Sequence, residues 1–231
     1  MSRDFDGVDD QITISSTFDL GQLNCSMWCW VHLSSTSLGG AFIKCGNTTT
    51  GYGLGVGGST FDDTGNNIIC LYENVAWIDT NINIGTGWHF LGLGISALKN
   101  PVVWLDGKFV FSNDPSDPIA PSTTTTFGGY TSGVPSERFV SCKIAHVQIF
   151  NRGVGSDNKK NDIIEVNQIM RFPGSLRKGL AGYWPLWGGS PEGDYSGNKN
   201  FGSITGATLS TNNPPINGIF TVPKPELIQA F

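Results

Sequence analysis

Two tryptophans at alternate positions are the first residues in this sequence whose spacing suggests ligand binding. Trp28 and Trp30 lie in residues 25–32, where polar or large residues alternate with small or apolar ones. Alternate residues of a strand share a face. The pattern therefore places Trp28, Trp30 and His32, together with Ser26, on an outer, concave face. The core face consists of Cys25, Met27, Cys29 and Val31. Because aromatic rings pack well on sugars, one prediction is a glycan platform. The other is that the tail, a loop or a neighbouring subunit covers the pair, since large apolar patches mark interfaces.

Oxygen-bearing side chains recur at alternate positions near the end of the chain, as they do in calcium-binding loops. These residues are Asp194, Ser196, Asn198 and Asn200. The segment lacks the acidic residue that closes an EF-hand loop. A second oxygen-rich segment spans residues 62–67. Two predictions stay open for both segments, namely calcium binding or Asx-turns that need no metal. No other cofactor is predicted.

Residues that could catalyse a reaction are sparse, which predicts a protein that is not an enzyme. Glycosidases pair two carboxylates around the scissile bond, but none of the five glutamates has an acidic partner two residues away on a predicted strand. His32, His89 and His146 belong to separate predicted strands, and no GxSxG nucleophile elbow occurs. The G-x-G pattern in residues 51–58 precedes no helical pattern, so it does not indicate a phosphate site.

The composition excludes two classes of partner. Charged residues make up 14% of the 231 residues and the net charge is −5, whereas nucleic-acid binders need clustered lysine and arginine. The sequence contains no run of ~18 apolar residues, the length that membrane insertion requires. Residues 1–6 contain no apolar signal-peptide core. The five cysteines are an odd number and most lie in apolar, strand-like contexts, which predicts buried thiols formed in a reducing compartment.

The elements that must position these residues are predominantly strands. Period-2 alternation runs from Gln11 to Ile149, and Asp106-Gly107 between two apolar runs predicts a tight hairpin turn. Strands separated by glycine-rich turns predict an all-β protein, a two-sheet antiparallel jelly-roll sandwich. One short helix is predicted between a cap at Asp157 and a stop at Pro173-Gly174. Its apolar residues are Ile163, Ile164, Val166, Ile169 and Met170.

Several segments, in a consistent order, resemble the laminin-G-like and concanavalin A-like jelly-roll family. They are Phe5–Ile14, Met27–Val31, Trp88–Leu93, Trp104–Lys108 and Lys143–Arg152, followed by Gly179–Leu186 and Asp194–Asn200. The last two segments often open such a domain, but here they close it. The resemblance therefore implies a permuted arrangement in which the C-terminal strand completes a sheet beside the N-terminal one. The family's closing strand often carries acidic residues where Ala145 and His146 stand, so the role of those acids does not carry over.

The end of the chain predicts a segment that docks on a partner. Residues 1–212 are assigned to the jelly-roll domain and residues 213–231 to an extended, proline-containing tail. The tail contains more apolar residues than a solvated linker needs: Ile216, Ile219, Phe220, Val222, Leu227, Ile228 and Phe231. Deleting residues 213–231 is expected to leave the sandwich folded and to abolish assembly.

Three functions are compatible with these patterns, because one sandwich fold hosts many functions. The first is a virion surface component, such as a phage capsid decoration or fibre protein, made in the host cytoplasm and docked on a viral coat protein or on sister subunits as a homo-oligomer. This choice reconciles a usually extracellular fold with the missing signal segment and the odd thiol count. The second is an extracellular glycan-binding lectin that uses Trp28 and Trp30. The third is an adhesion module of a cell-surface protein.

Overall fold

A computed structural model describes residues 1–14, 18, 20, 24–35, 39–46, 51–57, 65–71, 77–96, 101–112, 124–129, 138–156 and 160–216. Within these ranges, fifteen strands form two antiparallel sheets that pack into a sandwich, and one helix is present. The predicted fold class is confirmed. Asp157, the predicted helix cap, lies outside the described residues, as do Asp62 and Asp63 of the second oxygen-rich segment.

The first sheet, sheet A, has eight strands. They are β1 (Ser2–Asp6), β3 (Cys25–Leu33), β8 (Gly87–Ile95), β9 (Pro101–Leu105), β10 (Lys108–Ser112), β12 (Ser141–Phe150), β13 (Leu180–Trp184) and β15 (Thr208–Ser210). Their order is β10-β9-β8-β3-β12-β1-β15, and β13 also pairs with β12. The turn between β9 and β10 has positive φ at both Asp106 and Gly107, as the predicted tight hairpin requires.

The second sheet, sheet B, has seven strands in the order β14-β2-β11-β4-β5-β6-β7. They are β2 (Gln11–Ile14), β4 (Gly40–Cys45), β5 (Tyr52–Gly57), β6 (Asn67–Leu71), β7 (Ile78–Asn83), β11 (Thr125–Phe127) and β14 (Gly202–Thr205). The glycine-alternating segment is therefore strand β5, whose Tyr52, Leu54 and Val56 lie in the core.

The main core lies between the two sheets and contains the predicted inward face of β3. Cys25, Met27, Cys29 and Val31 all belong to it. The five cysteines are free and buried, as predicted. Burial raises the pKa of the Cys45 thiol to about 11. Buried thiols of this kind are protonated and unreactive.

The helix α1 (Lys160–Arg171) packs on the outer face of sheet A. Val166 and Ile169 are buried there, whereas Ile163 and Ile164 are exposed, so only part of the predicted apolar set faces the sheet. The helix ends before Pro173, as expected for a residue that cannot continue it. No helix in the described part of the chain is long and apolar enough to cross a membrane.

The two ends of the sandwich domain complete both sheets, as the permuted arrangement predicts. Strand β15 pairs with β1 in sheet A, and β14 pairs with β2 in sheet B. A buried ion pair joins these ends, because the Nε and Nη2 atoms of Arg3 donate to Oε2 of Glu192 at 3.0 and 2.9 Å. Arg3 also donates to the carbonyl oxygens of Gly189 and Ala207. One side chain thus connects β1 to the segments before β14 and β15.

Candidate functional site

The predicted tryptophan platform lies inside the molecule. Trp28 and Trp30 are 0% and 6% exposed, because α1 and the preceding loop cover them. The Trp30 indole N–H donates to the Met170 carbonyl at 3.3 Å, and a Cβ on Gly155 would lie 2.9 Å from the Trp28 ring. The prediction of an exposed glycan platform at this pair is therefore wrong. The rings are covered by other parts of the same chain. One is a loop, as the alternative prediction allowed, and the other is helix α1, which that prediction did not include.

The structure instead places an irregular residue, His146, where β12 changes its neighbour. Residues 141–144 of β12 pair with β1, and residues 147–150 pair with β13. The register with β3 shifts between Ala145 and Gln148, and His146 between them has φ 53. Its N–H donates to the Pro185 carbonyl at 3.2 Å. Bulges and left-handed non-glycine residues are concentrated at functional sites, so this junction is a candidate site.

A cavity of about 190 Å³ opens at this junction. It lies between the end of α1, the chain that follows β13, and the chain that follows β15. Its lining residues are Met1, His146, Pro173, Tyr183, Trp187, Asn213, Pro214 and Ile216. We call it the aromatic pocket.

Aromatic rings form one wall of the aromatic pocket. The His146 and Tyr183 rings stack with centroids 6.1 Å apart and 19° between planes, and the Trp187 ring meets His146 edge-on at 6.0 Å. Tyr195 supports Trp187 from outside the lining, with ring centroids 5.8 Å apart. Trp187 and Tyr195 are half-buried. Half-buried rings of this kind present an apolar surface while remaining accessible to a ligand.

The two titratable side chains of the aromatic pocket, His146 and Tyr183, are neutral near pH 7, and the α-amino group of Met1 lies beside them. Nδ1 of His146 shares a 2.9 Å hydrogen bond with the Tyr183 hydroxyl, so Nε2 is the ring nitrogen left for a ligand. Burial lowers the pKa of His146 to about 3 and raises the pKa of Tyr183. The lining side chains are thus aromatic, aliphatic, or uncharged hydrogen-bonding groups. Such a surface suits an uncharged ring that carries hydroxyl groups.

A half-buried row of four side chains crosses the same face of sheet A, and we call it the Trp88 row. Trp88, His32, Lys143 and Asp4 are consecutive partners across β8, β3, β12 and β1. The His32 and Trp88 rings lie 5.4 Å apart, and Lys143 Nζ lies 3.1 Å from an Asp4 carboxylate oxygen. The predicted site residue His32 belongs here, so it is separated from the buried pair with which the sequence grouped it.

The predicted calcium segment is occupied by hydrogen bonds within the chain. The Asp194 carboxylate accepts the backbone N–H groups of Tyr183, Ser196 and Asn200 and the Ser196 hydroxyl. The side-chain N–H groups of Asn198 and Asn200 donate to the Ala181 carbonyl. These contacts are those of an Asx-turn that fastens the loop to β13. Calcium binding at this segment stays a prediction.

The structure also contains a cluster of three aspartates that the sequence analysis did not identify as a candidate metal site. Asp6, Asp9 and Asp10 bring one carboxylate oxygen each within 4.8 Å of the others. Asp6 Oδ1 accepts the Val8 N–H, and Asp10 Oδ2 accepts the Asp6 N–H. These bonds close the turn between β1 and β2 through the carboxylates of Asp6 and Asp10.

The beginning of the predicted tail lies on the sandwich. Pro214 is buried, and Ile216 packs against the outer cluster that contains Trp30 and Tyr183. Asn212 accepts the Trp88 indole N–H at 2.9 Å through its side chain and the Ser2 hydroxyl at 2.8 Å through its carbonyl. The remaining predicted docking residues lie outside the described residues: Ile219, Phe220, Val222, Leu227, Ile228 and Phe231.

No protein-family model and no curated protein sequence matches this chain. Solved structures do resemble it. A protein from Bacteroides ovatus, provisionally assigned as carbohydrate-binding, superposes with a TM-score of 0.69 at 13% identity over 93% of this chain. The heptameric SAP-like pentraxin from Limulus polyphemus gives a TM-score of 0.52 at 12% identity over 73% of this chain and 80% of its own.

A structure described as a receptor binding domain gives a TM-score of 0.53 at 15% identity, over 72% of this chain and 42% of its own. The present chain spans 60% of the length of the Bacteroides ovatus protein. At these identities the likeness establishes the β-sandwich fold, shared with jelly-roll-like structures. Membership of the laminin-G-like family stays a prediction.

Proposed function

We propose that this chain is a non-enzymatic binding module that holds a neutral sugar ring in the aromatic pocket. The observation that carries the proposal is the pairing of half-buried aromatic rings with uncharged polar groups at an irregular strand junction. Trp187 supplies apolar area, and His146 and Tyr183 supply hydrogen-bonding groups. A sugar presents both kinds of surface, since its C–H groups are apolar and its hydroxyl groups are polar.

The size of the aromatic pocket favours a small ligand. Sites for drug-sized molecules usually enclose about 300–1,000 Å³, and this cavity encloses about 190 Å³. One ring fits such a space, while a larger ligand would extend out of it. Among the described residues, no carboxylate lines the aromatic pocket, so a cationic group inside would be an unpaired buried charge, which is costly.

The described acidic residues support binding rather than hydrolysis. Glu165 accepts two hydrogen bonds from Arg152, and Glu192 accepts two from Arg3. Neither glutamate lines the aromatic pocket. The carbohydrate-binding assignment of the Bacteroides ovatus protein agrees with the proposal at the level of fold analogy.

The test is binding of the intact protein to an array of neutral glycans, followed by calorimetry on the glycans that bind. Trp187→Ala is expected to weaken binding at least about tenfold, because it removes the largest aromatic surface of the aromatic pocket. Phe201→Ala is the matched control, since Phe201 is 51% exposed and does not line the cavity. If no glycan binds, or if Trp187→Ala binds as tightly as the parent, the proposal fails.

We further propose display of this module on a virion surface, with a secreted or cell-surface location as the alternative. Five free, buried thiols suit a chain that folds in a reducing compartment. Its binding site would then act outside the cell in which it was made. The apolar residues of the tail would provide attachment to a coat protein or to sister subunits.

A further inference from the structure

The Trp88 row and the aromatic pocket are neighbours on the outer face of sheet A. Lys143 of the row and His146 of the pocket are three residues apart on β12, which corresponds to about 10 Å along a strand. The row faces outward with its side chains half-buried. It therefore offers a second accessible surface next to the cavity.

Two consecutive asparagines connect these surfaces. Asn212 accepts the Trp88 indole N–H at 2.9 Å, and Asn213 lines the aromatic pocket. Consecutive Cα atoms lie about 3.8 Å apart, so the pocket wall and the partner of Trp88 are adjacent residues. The Ser2 hydroxyl donates to the Asn212 carbonyl and anchors this connection on β1. Both asparagines are exposed.

The chemistry of the row complements that of the pocket. Trp88 offers an aromatic surface, and His32, Lys143 and Asp4 offer hydrogen-bond donors and acceptors beside it. Because Lys143 and Asp4 neutralise each other, the row carries no unpaired charge from this pair. A hydroxylated, uncharged unit can pack on Trp88 and bond to the polar members.

We infer that the ligand is an oligosaccharide whose first ring occupies the aromatic pocket and whose following rings cross Asn213 and Asn212 onto the Trp88 row. This inference rests on the proposed function. The cavity has room for one ring, and the row lies where the next part of the same chain would emerge. The site therefore recognises the end of a neutral sugar chain and gains affinity from its length.

The experiment uses the full chain and neutral gluco-, manno- and galacto-oligosaccharides of one, two and three residues. Calorimetry is expected to show affinity rising at least about tenfold from the monosaccharide to the trisaccharide. In Trp88→Ala, the ratio of trisaccharide to monosaccharide affinity is expected to fall towards one. Trp88→Phe, which keeps an aromatic ring, should retain most of the ratio. Phe109→Ala, an exposed aromatic on the distant strand β10, should leave it unchanged.

The outcomes separate this inference from the proposed function. If sugars bind and Trp187→Ala weakens them, but affinity does not depend on length, the inference alone is overturned. It is also overturned if Trp88→Ala keeps the full ratio while its circular dichroism and melting temperature match the parent. If Trp88→Ala unfolds, Asn212→Ala decides, because it keeps Trp88 and removes a side chain that the sugar would cross: the inference predicts a lower ratio, and an unchanged ratio overturns it. Absence of binding at every length overturns both proposals.

Discussion

At the scale of single residues, the candidate site depends on His146. Its left-handed φ of 53 accompanies the change of partner strand in the middle of β12, and burial keeps its ring neutral. The bulge turns the imidazole towards Tyr183, where the 2.9 Å hydrogen bond holds it. The sequence placed His146 on a strand but could not indicate this geometry, because alternation along β12 carries no sign of where a neighbour ends.

Neutrality of His146 predicts a measurable dependence of stability on pH. Burial lowers its folded pKa to about 3, whereas an unfolded histidine titrates near ~6.5. Between these values the unfolded chain binds more protons, so the free energy of unfolding falls as the pH falls from ~6.5 towards 3. His146→Asn tolerates a left-handed φ and does not titrate. Urea unfolding at pH 7, 5 and 4 should give a smaller fall for the variant, and equal slopes would contradict this reading.

At the scale of elements, the sequence predicted the strands, but it did not predict which helix or loop packs on each face of a strand. Alternation predicted strands throughout residues 11–149 and correctly divided the two faces of β3. The alternation is weakest at β11, which is only three residues long, and at β7, whose residues 78–83 are mostly polar. Alternation shows which residues share a face, but it does not show which element packs on that face. For this reason Trp28 and Trp30 were assigned correctly to the outer face and incorrectly to the surface.

The same limit explains why the aromatic pocket was not predicted. Its lining comes from five separate parts of the chain: the first residue, β12, the residues just after α1, β13 with the residues that follow it, and the segment after β15. Trp187 follows the Trp-Pro-Leu segment that the sequence did single out as a family resemblance. The signal available in the sequence was the tryptophan directly after that segment, at position 187.

A prediction at this scale concerns the ion pair that joins β1 to the C-terminal segments. The Arg3 and Glu192 side chains are 8% and 1% exposed. Glu192→Gln leaves the buried guanidinium without a counter-charge, which should lower the free energy of unfolding by about 3 kcal/mol. The same change at Glu165, whose pair with Arg152 is 29% and 20% exposed, should cost less than about 1 kcal/mol. Urea unfolding measures both, and equal costs would contradict the assigned role.

At the scale of the whole molecule, both ends of the described chain meet on one face. Strands β1 and β15 are adjacent, and residues 213–216 continue over sheet A to the aromatic pocket. The segment that the sequence assigned to a docking tail therefore begins with residues that pack on the sandwich. Attachment, if the tail provides it, starts after Ile216.

Truncation after residue 216 tests this division. Residues 1–216 should keep the circular dichroism spectrum and the sugar affinity of the full chain, because the described sandwich and the pocket lining are retained. The full chain should self-associate in size-exclusion chromatography with light scattering, and the truncated chain should be monomeric. A monomeric full chain, or a truncated chain that associates equally, would contradict attachment through sister subunits.

The most direct test of the central claim is nuclear magnetic resonance of the seven tryptophan indole groups during titration with a neutral sugar that binds on the array. The account predicts that the Trp187 indole signal moves with a monosaccharide and that the Trp88 signal moves further as the sugar lengthens. The buried Trp28 and Trp104 signals should stay in place. Movement of the Trp77 signal, whose ring lies over β5 of sheet B, with Trp187 unchanged would contradict the account.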